Sequence, residues 1–222
     1  FVSTDDARGG SGESSPSLSR EDLFVTTKLW NDDQGYDATL RAFDTSMANL
    51  GLEYVDLYLI HWPCPQRGLY PESYRAMETL YREGRARAIG VSNFQPVHLD
   101  RLLQTAEVVP AVNQIELHPW LQEEELRAMH RELGITTEAW SPLGRGQVLK
   151  DPVVLDLAAA HGMTAAQIIL RWHVQLGNVT IPKASSHARI KENLNVFGFT
   201  LDDAAMDALA GLERGFRTGS HP

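Results

Sequence analysis

Cysteine is nearly absent from this 222-residue chain. Cys64 stands alone, so neither a disulfide within the chain nor a multi-thiolate zinc site can form, and a reducing compartment is expected. No apolar run approaches the ~20 residues of a membrane-spanning helix, and the first residues lack the basic and apolar regions of a signal peptide. Positive charge is in the minority, with 20 Lys and Arg against 29 Asp and Glu for a formal net charge of −9. That balance argues against a nucleic-acid or anionic-membrane surface, though not against a local cationic pocket for one phosphate. A Rossmann fingerprint is missing too: Gly144-Arg145-Gly146 lacks the third glycine, and Gly10-Ser11-Gly12 sits in a Gly/Ser-rich stretch. The histidines show neither i, i+4 nor H-E-x-x-H spacing, so no metal site is expected. With 43% apolar residues, what remains is a soluble globular protein, expected to be cytoplasmic.

The chain changes texture near Glu21. From Arg8 to Arg20 it reads RGGSGESSPSLSR, which carries no apolar periodicity and is expected to be a loop or linker. After Glu21, short apolar runs alternate with amphipathic stretches. The runs are Leu23–Trp30, Val55–Trp62, Ala86–Val91, Ala111–Leu117, Thr136–Trp140 and Val179–Pro182. Nearly continuous apolarity fits parallel strands covered on both faces. Between them, Leu40, Phe43, Met47 and Leu50 mark one helix stopped by Gly51, and Tyr74, Met77, Leu80 and Tyr81 mark another ending near Gly84. Pro96 fits the first turn of a third, Leu126, Met129 and Leu133 mark a fourth ending at Gly134, and Thr164 can cap a fifth. Strict alternation predicts an α/β fold, a parallel (β/α)8 barrel of the TIM type for which this sequence supplies about six βα units.

In such a barrel, chemistry gathers where strands end. The runs end in Lys28-Leu29-Trp30, His61-Trp62-Pro63, Ser92-Asn93, Glu116-Leu117-His118-Pro119, Trp140-Ser141-Pro142-Leu143-Gly144 and Pro182-Lys183, with Gln114 inside the fourth. Period two puts Phe24, Thr26 and Lys28 on one face of the first run and Leu57, Leu59 and His61 on one face of the second. If those faces point inward, Lys28 and His61 converge at the barrel mouth. Each residue also has an ordinary reading. A strand-end histidine is often structural, a strand-end lysine is often solvated, and Trp30, Trp62 and Trp140 fit rim packing. Ser92 and Asn93 fit a turn, and Gln114 fits a buried amide held by backbone.

Six segments in order, LFVTTKLWN, GLEYVDLYLIHWP, GRARAIGVSNF, PAVNQIELHP, TEAWSPLG and VTIPKASSHARIKEN, give the sequence a resemblance to the aldo-keto reductases. The likeness is strongest to the bacterial branch that includes 2,5-diketo-D-gluconate reductases, and it runs from about Glu21 onward. It implies an often monomeric enzyme that reduces a small carbonyl substrate, an aldehyde, a ketone or a keto-sugar acid, with NADPH bound in extended form across the barrel. By that resemblance Lys28 and His61 are two members of a catalytic tetrad. Ser92, Asn93 and Gln114 hold the nicotinamide carboxamide, and Trp140 stacks on its ring. Ser141 and Leu143 follow the pyrophosphate; Lys183, Ser186 and Arg189 face the 2′-phosphate; Glu192 and Asn193 reach the adenine. Trp30 and Trp62 line the substrate pocket.

The resemblance also implies a proton-donating tyrosine and a lysine-pairing aspartate, in a pattern similar to D-T-A-x-x-Y ahead of Leu23. Nothing there matches, and Tyr36 reads as a helix start. The expectation is that residues 1–22 are a remnant and linker-like segment beside a reductase domain over 23–222, the missing strand–helix units belonging to a longer chain. A deletion, or a remnant that binds cofactor without turnover, are the other two accounts. Two rival readings stand beside the enzyme: a nicotinamide-binding regulatory or interaction module, and an unrelated barrel enzyme.

Overall fold

The computed structural model describes residues 18–222, so the linker-like stretch from Arg8 lies outside the described residues up to position 17. The chain divides into two compact units, one ending at Val112 and one running from Asn113 to Pro222.

In the first unit, three parallel strands follow one another: β1 (Thr26–Leu29), β2 (Leu57–Ile60) and β3 (Ile89–Ser92). The register pairs Lys28 with Leu59 and Leu29 with Ile60, then Leu59 with Gly90 and Ile60 with Val91. Every residue of β2 and β3 is buried, as unbroken apolar runs require when both sheet faces are covered. The strands are shorter than the runs that predict them because the run ends are used otherwise. Val55 bridges Ala86, and Val25 N–H donates to the buried carboxylate of Asp56 at 2.9 Å. Asp56 also receives Arg20 at 2.7 Å and Arg87 at 3.3 Å, so one buried charge is neutralised by two guanidinium groups where β1 begins.

Helices α1 (Tyr36–Leu50), α2 (Tyr70–Arg82) and α3 (Pro96–Leu103) connect and flank these strands. Tyr36 opens α1, and Gly51 closes it in the left-handed region at φ +65°, its N–H donating to the Met47 carbonyl. The buried face of α1 is Thr39, Phe43 and Met47; Leu40 and Leu50 lie half-buried at its margins. Pro96 takes the first helical position of α3, where its missing N–H costs nothing. Gly90 is fixed by contact: a Cβ there would sit 2.5 Å from the Val112 carbonyl oxygen and 2.8 Å from Leu59 Cδ2. That approach lets the Ala111 N–H reach the Ile89 carbonyl at 2.9 Å, beside the start of β4 (Val112–Glu116).

The second unit contains the rest of β4, then α4 (Glu124–Leu133), β5 (Thr136–Trp140), α5 (Pro152–His161), α6 (Ala165–Gln175), β6 (Val179–Thr180), α7 (His187–Leu194) and α8 (Asp203–Ala210). Leu117 N–H donates to Trp140 O at 3.4 Å, and β5 pairs with β6 through Glu138 with Val179 and Ala139 with Thr180. Thr164 caps α6 reciprocally: its hydroxyl accepts from Gln167 N–H at 3.3 Å, and the Gln167 side chain accepts from Thr164 N–H at 3.0 Å. Helix α5 carries little amphipathic signal. Apolar residues fill most of α5, whose N-terminus is set by Asp151 accepting from Val153 N–H at 3.0 Å. Among the described residues, no single helix is long and apolar enough to cross a membrane.

Candidate active site

The sequence places its candidate chemistry at strand ends, and the first unit brings four of those residues together. Strand β1 delivers Lys28 and, one residue past its end, Trp30; β2 delivers His61 and Trp62. Trp30 stacks on the His61 imidazole with ring centroids 4.8 Å apart and planes 26° from parallel, and Trp62 meets the same ring edge-on at 6.2 Å. Burial, helped by the Lys28 charge, holds the His61 pKa below the ordinary histidine value, so the ring is neutral near pH 7. Its Nδ1 is buried without a hydrogen-bond partner among the described residues. Lys28 and Trp30 also line an open 320 Å³ cavity together with Asp33 and with Arg41, Ala42 and Thr45 of α1.

At the end of β3, Ser92 and Asn93 are both buried. Asn93 takes a left-handed backbone at φ +63°, which asparagine tolerates better than most side chains. Its amide donates to the His61 carbonyl at 2.9 Å, tying the β3 end to the β2 end. Cys64, at φ +43°, turns the chain after Trp62 and Pro63. The Gln34 amide donates to the Trp62 carbonyl at 2.8 Å, so the backbone is pinned at His61 and at the residue after it.

The second unit holds the remaining predicted residues. Gln114 is buried on β4, two positions before Glu116. Trp140 ends β5 half-buried, and the chain turns at once through Ser141 at φ +47° into a 3-10 turn at Gly144–Gly146. Leu143 is half-buried in that turn. Lys183 and Arg189 are exposed on either side of the α7 start, and neither is in an ion pair among the described residues. Ser186 caps α7, its hydroxyl accepting from the Arg189 N–H at 3.4 Å. Glu192 is already engaged, accepting from the Thr164 hydroxyl at 2.6 Å, and Asn193 lies half-buried beside it.

Glu116 and His118 are strand-end residues to which the sequence gives no role. Both are buried, with His118 Nε2 3.4 Å from the Glu116 carboxylate. Burial alone would raise the Glu116 pKa, but hydrogen bonds from His118, Thr218 and Gly219 outweigh it and bring the pKa down to about 2. A glutamate in a buried strand signals a partner; the sequence does not show that the partner is about a hundred residues away.

A sequence profile of the Aldo/keto reductase family matches residues 11–214. An aldo-keto reductase of Mycolicibacterium smegmatis is 54% identical over 203 residues, covering 91% of this chain and 74% of that protein. Glyoxal reductase of Bacillus subtilis is 48% identical over 213 residues, covering 96% and 76%. Among solved structures, a variant of Gox0644 in complex with NADPH superimposes with a TM-score of 0.88 at 48% identity, over 91% of this chain and 75% of that one.

Proposed function

Because the chain belongs to the aldo/keto reductase family, the α/β-barrel family of NADPH-dependent carbonyl reductases, we propose that it reduces small aldehydes or ketones, keto-sugar acids among them, to alcohols. The protein is an NADPH-dependent oxidoreductase; the substrate and the residue roles are what is proposed. Residues 23–222 form the reductase domain in this reading. The observation that carries it is His61, neutral and set against Trp30 and Trp62 beside Lys28.

The residues present fit the cofactor. Two exposed cations, in no ion pair among the described residues, flank the capped start of α7 on an otherwise acidic chain, a donor set suited to a phosphate monoester. A half-exposed indole at the end of β5 offers a flat apolar platform. In this reading Lys183, Ser186 and Arg189 hold the 2′-phosphate, Ser141 and Leu143 follow the pyrophosphate, and Glu192 and Asn193 lie at the adenine. Ser92, Asn93 and Gln114 hold the carboxamide while Trp140 covers the nicotinamide ring. When bound, NADPH supplies the hydride.

A carbonyl accepting hydride develops negative charge on oxygen, so the site needs donors aimed there. A neutral His61 with its proton on Nε2 donates to that oxygen without first losing a charge. The Trp30 stack fixes the ring plane, which saves orienting entropy in the reaction. Lys28 contributes positive potential at the same strand ends. By the family resemblance it also sets the acidity of a tyrosine that has no counterpart in this sequence. In this reading Trp30 and Trp62 line the substrate pocket and favour compact carbonyl substrates. A single-turnover absorbance trace of NADPH-loaded protein mixed with a small aldehyde tests this: oxidation of the bound cofactor is expected. Tight NADPH binding with no oxidation by any aldehyde would instead favour a regulatory binding module.

A further inference from the structure

The buried carboxylate of Glu116 has no place in the hydride-transfer scheme, yet it is among the most heavily bonded side chains of the second unit. Thr218 donates to its Oε1 twice, through the backbone N–H at 2.7 Å and through the hydroxyl. Gly219 N–H donates to Oε2 at 3.1 Å, and His118 Nε2 approaches Oε1 at 3.4 Å. Arg217, next along, is ion-paired with Glu123. Residues 217–219 are thus strapped across the end of β4.

That strap touches Trp140. A Cβ placed on Gly219 would lie 3.2 Å from Trp140 Cζ3, nearer still to Cη2, and 3.3 Å from Glu116 Oε2. The indole edge, the glycine and the carboxylate therefore form one contact set in which position 219 has no room for a side chain. A flat ring at a strand end has two soft torsions, and a rigid wall at its outer edge removes much of their freedom.

We propose that Glu116 is a positioning residue: it ties down the Arg217–Gly219 strap so that Gly219 backs the Trp140 indole and fixes the ring plane against which the nicotinamide lies. The inference rests on the reading of Trp140 as the nicotinamide platform. A carboxylate held ionised to about pH 2 keeps the strap in place throughout the range where an enzyme of this kind operates.

The test is a double-mutant cycle on the full chain, read by NADPH binding rather than by turnover. Gly219→Ala should raise the NADPH Kd about tenfold in the wild-type background. The same change should have a much smaller effect in Trp140→Phe, because phenylalanine lacks the indole atoms that the new methyl would strike and only the 3.3 Å contact with Glu116 Oε2 remains. Equal effects in both backgrounds, or none in either, would overturn the proposal. Amide hydrogen exchange tests the anchor separately: Thr218 and Gly219 should be protected in the wild type and lose that protection in Glu116→Gln. Thr218→Val, a milder change at the partly exposed strap, should weaken protection at Gly219 in the same direction. Unchanged protection in both variants would exclude the tether. If Trp140→Phe alone leaves the NADPH Kd unaltered while Glu116→Gln frees the strap, the platform reading fails and the anchor survives.

Discussion

Trp30 stacks on His61 at 4.8 Å, 26° from parallel, so the histidine ring is held by an aromatic neighbour rather than by a hydrogen bond at Nδ1. A ring held in this way is oriented without being charged. His61→Ala should therefore lower kcat by roughly a hundredfold or more while leaving the NADPH Kd within about twofold. Steady-state kinetics beside a fluorescence titration of cofactor binding would show the split. Loss of cofactor binding instead would assign His61 a structural role.

Coenzyme choice should follow the cations at the start of α7. Lys183→Ala is expected to weaken NADPH roughly tenfold or more, the loss of one charge-assisted phosphate contact, and to leave NADH unchanged. Comparing dissociation constants for both coenzymes decides the matter, and equal losses would refute the phosphate clamp.

Acid should destabilise the fold from near pH 6.5 downward. Among the buried histidines, His130 and His173 are neutral in the fold. Burial lowers the pKa of His130, which lies 2.9 Å from both Asn113 and Thr137, to about 4, and that of His173, near the Pro142 carbonyl, to about 3. A folded pKa below the unfolded value of 6.5 means that the unfolded chain binds more protons as pH falls, so stability drops. Each histidine should cost roughly 2 kcal/mol at pH 5 relative to pH 8. Urea melts at the two values test this; a midpoint that does not change between pH 8 and pH 5 would contradict the assignment.

The β3 strand should be intolerant at Gly90. Gly90→Ala places a methyl against the Val112 carbonyl and Leu59, and the backbone atom cannot turn aside. The expected loss is about 1–3 kcal/mol, measured as a lower denaturant midpoint with an unchanged slope. A neutral alanine would mean that this part of the sheet is looser than its contacts indicate.

Much of the scaffold is readable in the sequence because its signals are local. The six strand positions follow from apolar runs, Gly51 and Gly134 stop their helices, and Pro96 and Thr164 start theirs. The mostly apolar α5 is harder to see because it presents no clean periodic face, and α7 because it buries no residue. At the site, residue type and strand-end position select Lys28 and His61, and the family resemblance supplies their roles. The Trp30 stack, the turned backbone of Asn93 and the strap on Glu116 are not legible, since each depends on contacts between segments far apart in sequence. Glu116 and Thr218 are separated by 102 positions, and no local pattern links them.

Helix α7 has no buried residue, and Lys183 and Ser186 just ahead of it are exposed. The side chains on which coenzyme preference is proposed to depend therefore contribute almost nothing to the core. Substitutions there can retune which nucleotide is accepted with little penalty in folding, and this makes α7 the segment through which natural drift or deliberate engineering would most readily redirect the protein between the two pyridine coenzyme pools.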